Sequence, residues 1–448
     1  MKIFYIYFYF CLIFISFAKS YKVLKFGGSS LKSHIEIKNV ANIIIDFYKR
    51  KEEPIIVCSA CGDSTNKLLE IKRKIDFEKF KRYHYDIMKE LQILEINETK
   101  KKYKELMEQL YKKKFLTNEI KDKKYKDHII SFGERLSTLI VSNYLNKLGI
   151  KAKNYNAYDL GFVTNNNFGN AKLLEKSEKK IKDKILEIIN FKDKIPIITG
   201  FIGKSENDEI TTLGRGGSDL TATIIGKCIN AKEVQVWKDV DGIYTCDPKI
   251  IKESKLIEKI NYDDASEMAK CGAKILHPIA LEPCQEKNIP IIVKNSYNIK
   301  SKGTIINNDK KVITSLLTYK KEIAIIKIFL DEKKKSDIFD LLKKRNIDNI
   351  DVILITDNEL YISMNENEVY KLNFLEEIKI KIKTNLTSLT IINSNNKLEY
   401  LSNIYKYLEK NDIKVYKMSK ISSKKKIILI LESKYLFLSL NILHKLLI

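Results

Sequence analysis

The stretch from Thr211 to Thr223, TTLGRGGSDLTAT, most restricts how this chain can fold. It places an arginine, two adjacent glycines, a serine and an aspartate at Arg215 to Asp219, and then continues into apolar sequence with helical character. Glycines directly before a helix let the backbone turn its N–H groups towards an anion, and the helix N-terminus adds partial positive charge. The arginine offers a planar fork that suits a carboxylate or a phosphate. The pattern predicts an anion-binding loop; the alternative is a glycine-rich surface loop capped by Ser218 or Asp219.

Two further stretches carry related chemistry. A short apolar strand beginning at Tyr21 leads into Lys25-Phe-Gly-Gly-Ser-Ser30, which predicts a second phosphate-binding turn with its own lysine. A Gly-Gly turn after a strand is also common in hairpins, so this stretch alone is weak evidence. The third stretch, Val234 to Pro248, has the pattern of a buried strand that runs into an Asp-Gly turn and an Asp-Pro stop.

In this order, the three stretches resemble the aspartate kinases of the amino-acid kinase superfamily. The matching segments are KFGGSS, SFGERLS, TGFIG, TTLGRGGSDLTAT, VWKDVDGIYTCDP, GAKILHP and VKNSYN. The resemblance runs from about Tyr21 to Ile306. The sequences of these segments are most similar to those of the single-function enzymes of plant and algal plastids. It implies transfer of the ATP γ-phosphoryl group to the side-chain carboxylate of L-aspartate, the entry step towards lysine, threonine and methionine. It also implies Mg²⁺, held mainly by the ATP phosphates because a hard cation prefers oxygen ligands.

The resemblance implies roles for individual residues. Lys25 would neutralise the phosphoryl oxygens, and Asp219 would orient it through an ion pair. The aspartate pocket would be formed by Arg215 on the α-carboxylate and Glu134 on the amino group, with Thr65 and Ser218. The ATP-binding positions would be Lys25, Gly27, Gly28, Ser29, Lys238, Asp239, Tyr244, Lys249, Lys274 and Ile275, with no metal ligand from the protein.

The residues alone do not decide the role of two of these positions. Glu134 lies among apolar neighbours, so its carboxylate is either a satisfied surface group or a partner for a buried cation. The chain has 81 lysines and arginines, so composition alone favours an ordinary exposed lysine at Lys274 over a nucleotide contact.

The order of elements predicts an α/β fold: a largely parallel sheet between helices, followed by two ferredoxin-like α+β units. Strands alternate with helices up to Thr199, and ligands of such sheets gather at the carboxyl ends of the strands. One helix is expected from Asp263 to Leu281, with GAKILHP inside it. The predicted domains are a leader at 1–20, a kinase domain at 21–306, and two β-α-β-β repeats at 312–385 and 386–448.

The two repeats resemble the paired ACT domains of the family. Such domains imply an amino-acid effector, here lysine or threonine, and a homodimer or higher homo-oligomer. The glycine-containing loop that usually precedes the first ACT helix is replaced by Asp331-Glu-Lys-Lys-Lys-Ser336, which puts feedback inhibition in doubt.

The first twenty residues have the pattern of a cleaved signal peptide. A basic start precedes an apolar run that is shorter than a membrane span of about 20 residues, and small residues follow at Ala18 to Ser20. The alternative is an uncleaved anchor; after cleavage no stable membrane span is expected. For a plastid-like enzyme the leader indicates entry through the secretory route into a plastid or apicoplast-like organelle, with the cytoplasm as the other possibility.

The net charge of +24 does not indicate a nucleic-acid partner. The basic residues are mostly lysines spread over the whole length, and no basic stripe interleaved with aromatics occurs. Cys58 and Cys61 form a Cys-x-x-Cys pattern without a second pair or a histidine cluster, which favours reduced thiols. Two other functions remain open: a sister kinase of glutamate, acetylglutamate or UMP, and an inactive amino-acid-sensing protein.

Overall fold

The structure is a computed structural model that describes residues 21–448, apart from 53, 118–119, 192–193, 274, 310–314, 330–334, 346, 348–349, 357, 376–378, 394–397 and 422–425. The predicted leader and Lys274 therefore lie outside the described residues. The chain divides into two compact units. Unit 1 runs up to Ile243 and includes Leu276–Asp309, and unit 2 consists of Tyr244–Ile275 and Lys310–Ile448.

The strands, in chain order, are β1 Lys22–Phe26, β2 Pro54–Cys58, β3 Ala152–Tyr155, β4 Val163–Thr164, β5 Ile195–Thr199, β6 Ile202–Ser205, β7 Ile210–Thr212, β8 Glu233–Lys238, β9 Ile243–Tyr244, β10 Leu256–Ile257, β11 Lys259–Asn261, β12 Ile291–Asn295, β13 Thr304–Asn307, β14 Ser315–Phe329, β15 Asp351–Ile355, β16 Glu359–Asn365, β17 Ile380–Asn393, β18 Val415–Ile421 and β19 Lys426–Glu432. The α-helices are α1 His34–Lys49, α2 Ser64–Glu70, α3 Lys74–Glu90, α4 Asn97–Phe115, α5 Lys123–Lys147, α6 Lys176–Phe191, α7 Gly217–Ile229, α8 Tyr262–Lys270, α9 Glu282–Glu286, α10 Lys335–Lys344, α11 Leu398–Lys410 and α12 Leu436–Leu447.

The main sheet of unit 1 has the strand order β13-β12-β8-β1-β2-β5-β3. All neighbours in it are parallel except β12 and β13. Strands β2 and β5 are rich in isoleucine and are buried along their whole length, as expected for a sheet covered on both faces. The predicted α/β fold with a largely parallel sheet is confirmed.

Parallel strands bring their carboxyl ends to one edge of the sheet. Backbone hydrogen bonds link the residues just beyond three of these ends: Gly27 N donates to Trp237 O, Ser59 N to Phe26 O, and Gly200 N to Cys58 O. The loops that follow β1, β2 and β5 therefore start side by side.

The single helix expected from Asp263 to Leu281 is wrong. Helix α8 starts after Asn261, whose side chain accepts a hydrogen bond from Asp264 N, but it ends at Lys270. Gly272 has φ of +106°, and a Cβ there would lie 2.3 Å from the carbonyl oxygen of Tyr319, so the chain turns away where only glycine fits. The later Pro278 begins a short 3-10 turn, Pro278–Ala280.

Unit 2 contains an antiparallel sheet in the order β15-β16-β14-β17-β19-β18. The two predicted β-α-β-β repeats meet where the long strands β14 and β17 pair, with register shifts between Lys320 and Ile325. Each repeat has its own apolar cluster, one with Ile326 and Leu342 and the other with Leu389 and Leu408. The two α+β repeats agree with the predicted fold class. Strand β17 runs through residue 385, and the domain bounds given above stay a prediction.

No helix in the portion of the chain that the structure describes combines the length and the apolar content needed to cross a membrane.

Candidate active site

A cavity of about 640 Å³ opens in unit 1 at the edge where β1, β2 and β5 end. Its walls come from the turn after β1, from α2, from one face of α5 and from the loop before α7. Seven of the residues predicted from the sequence line it: Lys25, Gly28, Thr65, Glu134, Arg215, Ser218 and Asp219. Lys25 and Arg215, far apart along the chain, thus share one cleft.

Lys25 and Asp219 form a buried ion pair in this cleft. Lys25 Nζ lies 2.6 Å from Asp219 Oδ1, and the residues are 6% and 7% exposed. Burial raises the pKa of Asp219, but the charges of Lys25 and Lys238 outweigh it, so the pKa stays below its usual value. Asp219 is also in the first turn of α7, where the helix dipole favours a negative charge. The carboxylate therefore holds the Lys25 ammonium in place, while burial lowers the pKa of the neighbouring Lys238.

The turn after β1 requires glycine at one position and offers backbone donors. A Cβ on Gly28 would lie 2.7 Å from Gly62 O, whereas a Cβ on Gly27 would make only ordinary contacts, the nearest at 3.5 Å from Lys25 Nζ. The N–H of Gly27 already donates to Trp237 O. The N–H groups of Gly28 and Ser29 lie at the start of a 3-10 turn and have no acceptor among the described residues, so they are available to a ligand.

Glu134 is a buried carboxylate with an unused oxygen. It is 3% exposed, and its Oε1 accepts a hydrogen bond from Ala60 N at 3.3 Å. Its Oε2 is buried without a hydrogen-bond partner among the residues described. Burial raises the pKa of Glu134 to about 8, and the bond from Ala60 offsets only part of that effect. A buried carboxyl of this kind is suited to a cationic amine that enters the cleft.

The loop before α7 is shaped by close backbone approaches. Gly216 has φ of +77°, and a Cβ on it would lie 2.5 Å from the Cβ of His277. A Cβ on Gly200, just after β5, would lie 2.7 Å from the Cβ of Ser218. The loop thus packs tightly at both ends, which leaves the exposed Arg215 at the cleft and buries Ser218 at the start of α7.

Asp127 is a cleft residue that the sequence analysis missed. It is 2% exposed and accepts three hydrogen bonds of 2.8 Å, from Gly169 N, Thr212 N and Thr212 Oγ1. Burial raises its pKa, which these hydrogen bonds oppose. The available signal was its spacing from Glu134: seven residues are two helical turns, so both carboxylates lie on one face of α5. Asp127 connects α5 to strand β7, which leads into the loop that carries Arg215.

The remaining predicted nucleotide contacts are not among the residues that line the cavity. Lys238 and the exposed Asp239 lie at the end of β8 in unit 1. Tyr244, Lys249 and Ile275 belong to unit 2, where Lys249 is exposed and Ile275 is buried. Their role stays a prediction.

The side chains that the structure describes form no ready-made metal site. No group of three histidines, cysteines, aspartates or glutamates that could hold a metal ion occurs in the described part of the chain. In the cleft, Asp219 is paired with Lys25 and Asp127 is occupied by three donors. A divalent cation at this site would fit if its oxygen ligands came mainly from a bound phosphate chain.

Comparisons with known proteins show the family of the chain. The amino acid kinase family model matches residues 20–295. The chain is 35% identical over 395 residues to chloroplastic aspartokinase 1 of Arabidopsis thaliana, covering 83% of this chain and 68% of that protein. It is 40% identical over 309 residues to chloroplastic aspartokinase 2 of the same plant, covering 66% of this chain and 56% of that protein.

Solved structures share the fold. E. coli aspartokinase III in complex with aspartate and ADP superposes with a TM-score of 0.82 at 22% identity, over 95% of this chain and 99% of that chain. The same enzyme in complex with lysine and aspartate superposes with a TM-score of 0.79 at the same identity and coverage.

Proposed function

The chain belongs to the amino acid kinase family, within its aspartokinase branch, and we propose how its cleft phosphorylates aspartate. The family resemblance inferred from the motifs is confirmed. One observation carries the proposal: the Lys25–Asp219 pair and the unpartnered oxygen of Glu134 lie in the same cavity. The first suits a phosphoryl group, and the second suits the amino group of an amino acid.

The reaction needs no general base, because the side-chain carboxylate of aspartate is already a nucleophile. One of its oxygens forms a bond to the γ-phosphorus while the bond from that phosphorus to the ADP oxygen breaks. Catalysis then consists of positioning and charge stabilisation. Lys25 contacts the phosphoryl oxygens, Asp219 keeps the ammonium in position, and the N–H groups of Gly28 and Ser29 donate to the same phosphate.

The substrate is held by its two charged ends. The guanidinium of Arg215 binds the α-carboxylate bidentately. Glu134 accepts the α-ammonium and ionises when that cation arrives, while Thr65 and Ser218 complete the pocket. Both ends are then fixed, which directs the side chain towards Lys25.

ATP is the proposed phosphoryl donor. The E. coli enzyme of the same fold was crystallised with ADP. Gly27, Lys238, Asp239, Tyr244, Lys249, Lys274 and Ile275 are the proposed further contacts of the nucleotide. Mg²⁺, held mainly by the phosphates, would supply additional neutralisation of their negative charge.

The repeats of unit 2 are the proposed regulatory and dimerisation part. The E. coli enzyme was crystallised with lysine, and lysine or threonine is the proposed effector here. Of residues 331–336, which replace the usual glycine-containing loop, 331–334 lie outside the described residues. The domains at 21–306, 312–385 and 386–448 remain our proposal.

A plastid-type compartment is proposed, reached through the secretory leader at 1–20. Both Arabidopsis relatives are chloroplastic proteins. A fluorescent fusion of roughly the first 60 residues tests this proposal. Fluorescence in the cytoplasm would contradict it.

The activity is tested by trapping the acyl phosphate with hydroxylamine in the presence of ATP and Mg²⁺. L-Aspartate should give the hydroxamate, whereas glutamate and acetylglutamate should not. Product with another acid would favour a sister kinase, and no product with any acid would favour a sensing protein.

Two variants separate the proposed roles. Lys25→Met should lower turnover by about a hundredfold to a thousandfold and leave aspartate binding nearly unchanged. Arg215→Met should raise the KM for aspartate by about tenfold to a hundredfold, with a smaller effect on turnover. The reverse pattern would show that the two assignments are exchanged.

A further inference from the structure

A second cavity of about 380 Å³ lies in unit 1 on a different face of α5. It is enclosed by α4, α5, the turn around Tyr158 and the strand pair β6-β7, and it shares no lining residue with the aspartate cleft. Four basic side chains line it against two carboxylates: Lys113, Lys124, Arg135 and Lys204 against Asp208 and Glu209. The cavity therefore carries a net positive charge.

Arg135 is the unusual group in this cavity. Burial lowers its pKa, an effect that the nearby Tyr158 and Asp159 partly oppose, and no carboxylate of the described chain lies within ion-pair distance of it. Its guanidinium donates to Gln109 Oε1 at 3.1 Å and lies 4.7 Å from the ring centre of Phe132. The other N–H groups of the fork have no acceptor among the described residues. A guanidinium that is partly removed from water, with no carboxylate within ion-pair distance among the described residues, would be stabilised by an incoming anion.

Two neighbouring lysines, in contrast to Arg135, are paired with carboxylates. Lys204 pairs with Asp208 at 2.8 Å, and its ammonium also lies over the ring of Tyr158. Lys124 pairs with Glu209. The two carboxylates of the wall are thus already engaged by lysines, and neither lies within ion-pair distance of Arg135.

We propose that this cavity binds a small metabolite with a carboxylate or phosphate group, that Arg135 is its main contact, and that binding there alters the aspartate cleft. A planar guanidinium matches either group with two parallel hydrogen bonds. The volume fits a small metabolite. The aspartate cleft is separate, so this is a second anion site rather than part of the first.

The structure also supplies a physical connection between the two cavities. Arg135 directly follows Glu134 in α5, so a ligand that moves this turn of the helix also moves the carboxylate of the cleft. Ile210 lines the second cavity, and Thr212, two residues later in β7, is hydrogen-bonded to Asp127 in the cleft. This coupling rests on the proposed function, whereas the binding site itself does not.

The binding site is tested with the full-length protein by calorimetry and thermal unfolding. Inorganic phosphate and succinate serve as separate probes for the phosphate and carboxylate classes. At a probe concentration ten times its dissociation constant, the unfolding constant should fall about 11-fold. Arg135→Met should weaken binding by about tenfold to a hundredfold. Probe binding should be retained in two control variants, Arg215→Met in the aspartate cleft and Arg73→Met at an exposed position.

A second variant keeps the test independent of folding defects in Arg135→Met. Gln109→Glu would place a carboxylate beside the guanidinium, so it should stabilise the protein and abolish binding of both probes. The proposal is overturned if neither probe binds the wild type, if binding survives both Arg135→Met and Gln109→Glu, or if Arg215→Met alone abolishes it.

The coupling is tested by the KM for aspartate with and without saturating probe. The KM of the wild type should change at least about twofold more than that of Gln109→Glu, in which any change reflects competition by the probe in the aspartate cleft. Equal changes in the two proteins, together with Arg135-dependent binding, would overturn the coupling alone. Failure of the hydroxylamine assay would refute the kinase function and leave the calorimetric result valid.

Discussion

Aspartate binding should become tighter as the pH rises from 6 to 8, because Glu134 must ionise to accept the substrate's ammonium group. Burial raises the pKa of Glu134 to about 8 in the ligand-free cleft, so the carboxyl is mostly protonated at neutral pH. The apparent dissociation constant carries the factor 1 + 10^(8 − pH), which is about 100 at pH 6, about 11 at pH 7 and about 2 at pH 8. Affinity should therefore rise about 50-fold over this range.

The measurement is isothermal titration calorimetry of aspartate in the presence of ADP, at pH 6, 7 and 8. At pH 7, titrations in two buffers of different ionisation enthalpy should reveal release of about 0.9 proton per aspartate bound. Phosphoryl transfer does not occur with ADP, so the affinity is an equilibrium quantity.

Glu134→Gln is the matched variant for this experiment. It should bind aspartate more weakly, release almost no protons and show little dependence on pH. Glu206→Gln, at an exposed position, should behave like the wild type. A wild-type affinity that changes less than about threefold between pH 6 and 8, or an unchanged slope in Glu134→Gln, would refute the reasoning.

Three further predictions concern stability and local geometry. Gly28→Ala should lower the melting temperature and the turnover much more than Gly27→Ala, because only the former places a Cβ within 3 Å of a backbone oxygen; equal losses would contradict this. Asp127→Asn should raise the KM for aspartate and cost about 1.5–3 kcal/mol in chemical denaturation, because the bonds to Thr212 weaken; an unchanged KM would show that the loop does not depend on them. The pKa of Glu134 is higher in the folded protein than in the unfolded chain. Its carboxyl therefore destabilises the ligand-free protein increasingly as the pH rises from the pKa of the unfolded state towards about 8. The stability advantage of Glu134→Gln should thus grow by about 3 kcal/mol between pH 5 and 7.5, and a constant difference would be inconsistent with it.

Much of the architecture could be predicted because it depends on local patterns. Apolar runs such as Ile55 to Val57 predicted buried strands, and the glycine stretch before Leu220 predicted a loop that enters a helix. The two C-terminal repeats were also anticipated from short alternating elements. The error at Gly272 has the same origin: helical periodicity continues on both sides, but the close approach of the Tyr319 carbonyl is not visible in the local sequence.

Family resemblance, rather than periodicity, predicted which residues serve the cleft. The motif residues Lys25, Thr65, Glu134 and Arg215 do line one cavity. Their assigned roles remain predictions until the variants above are measured. Asp127 was missed because it lies outside the quoted motifs, although its helical spacing from Glu134 was available.

The sequence was sufficient for the chemical identity of the groups, for most of the order of strands and helices, and for the glycine loop that precedes Leu220. These properties arise from interactions over a few neighbouring residues. The burial of the Lys25–Asp219 pair, the raised pKa of Glu134 and the lack of a carboxylate within ion-pair distance of Arg135 among the described residues became visible only in the folded structure. Burial and charge pairing depend on which distant segments pack around a side chain, and desolvation acts only after the chain has folded.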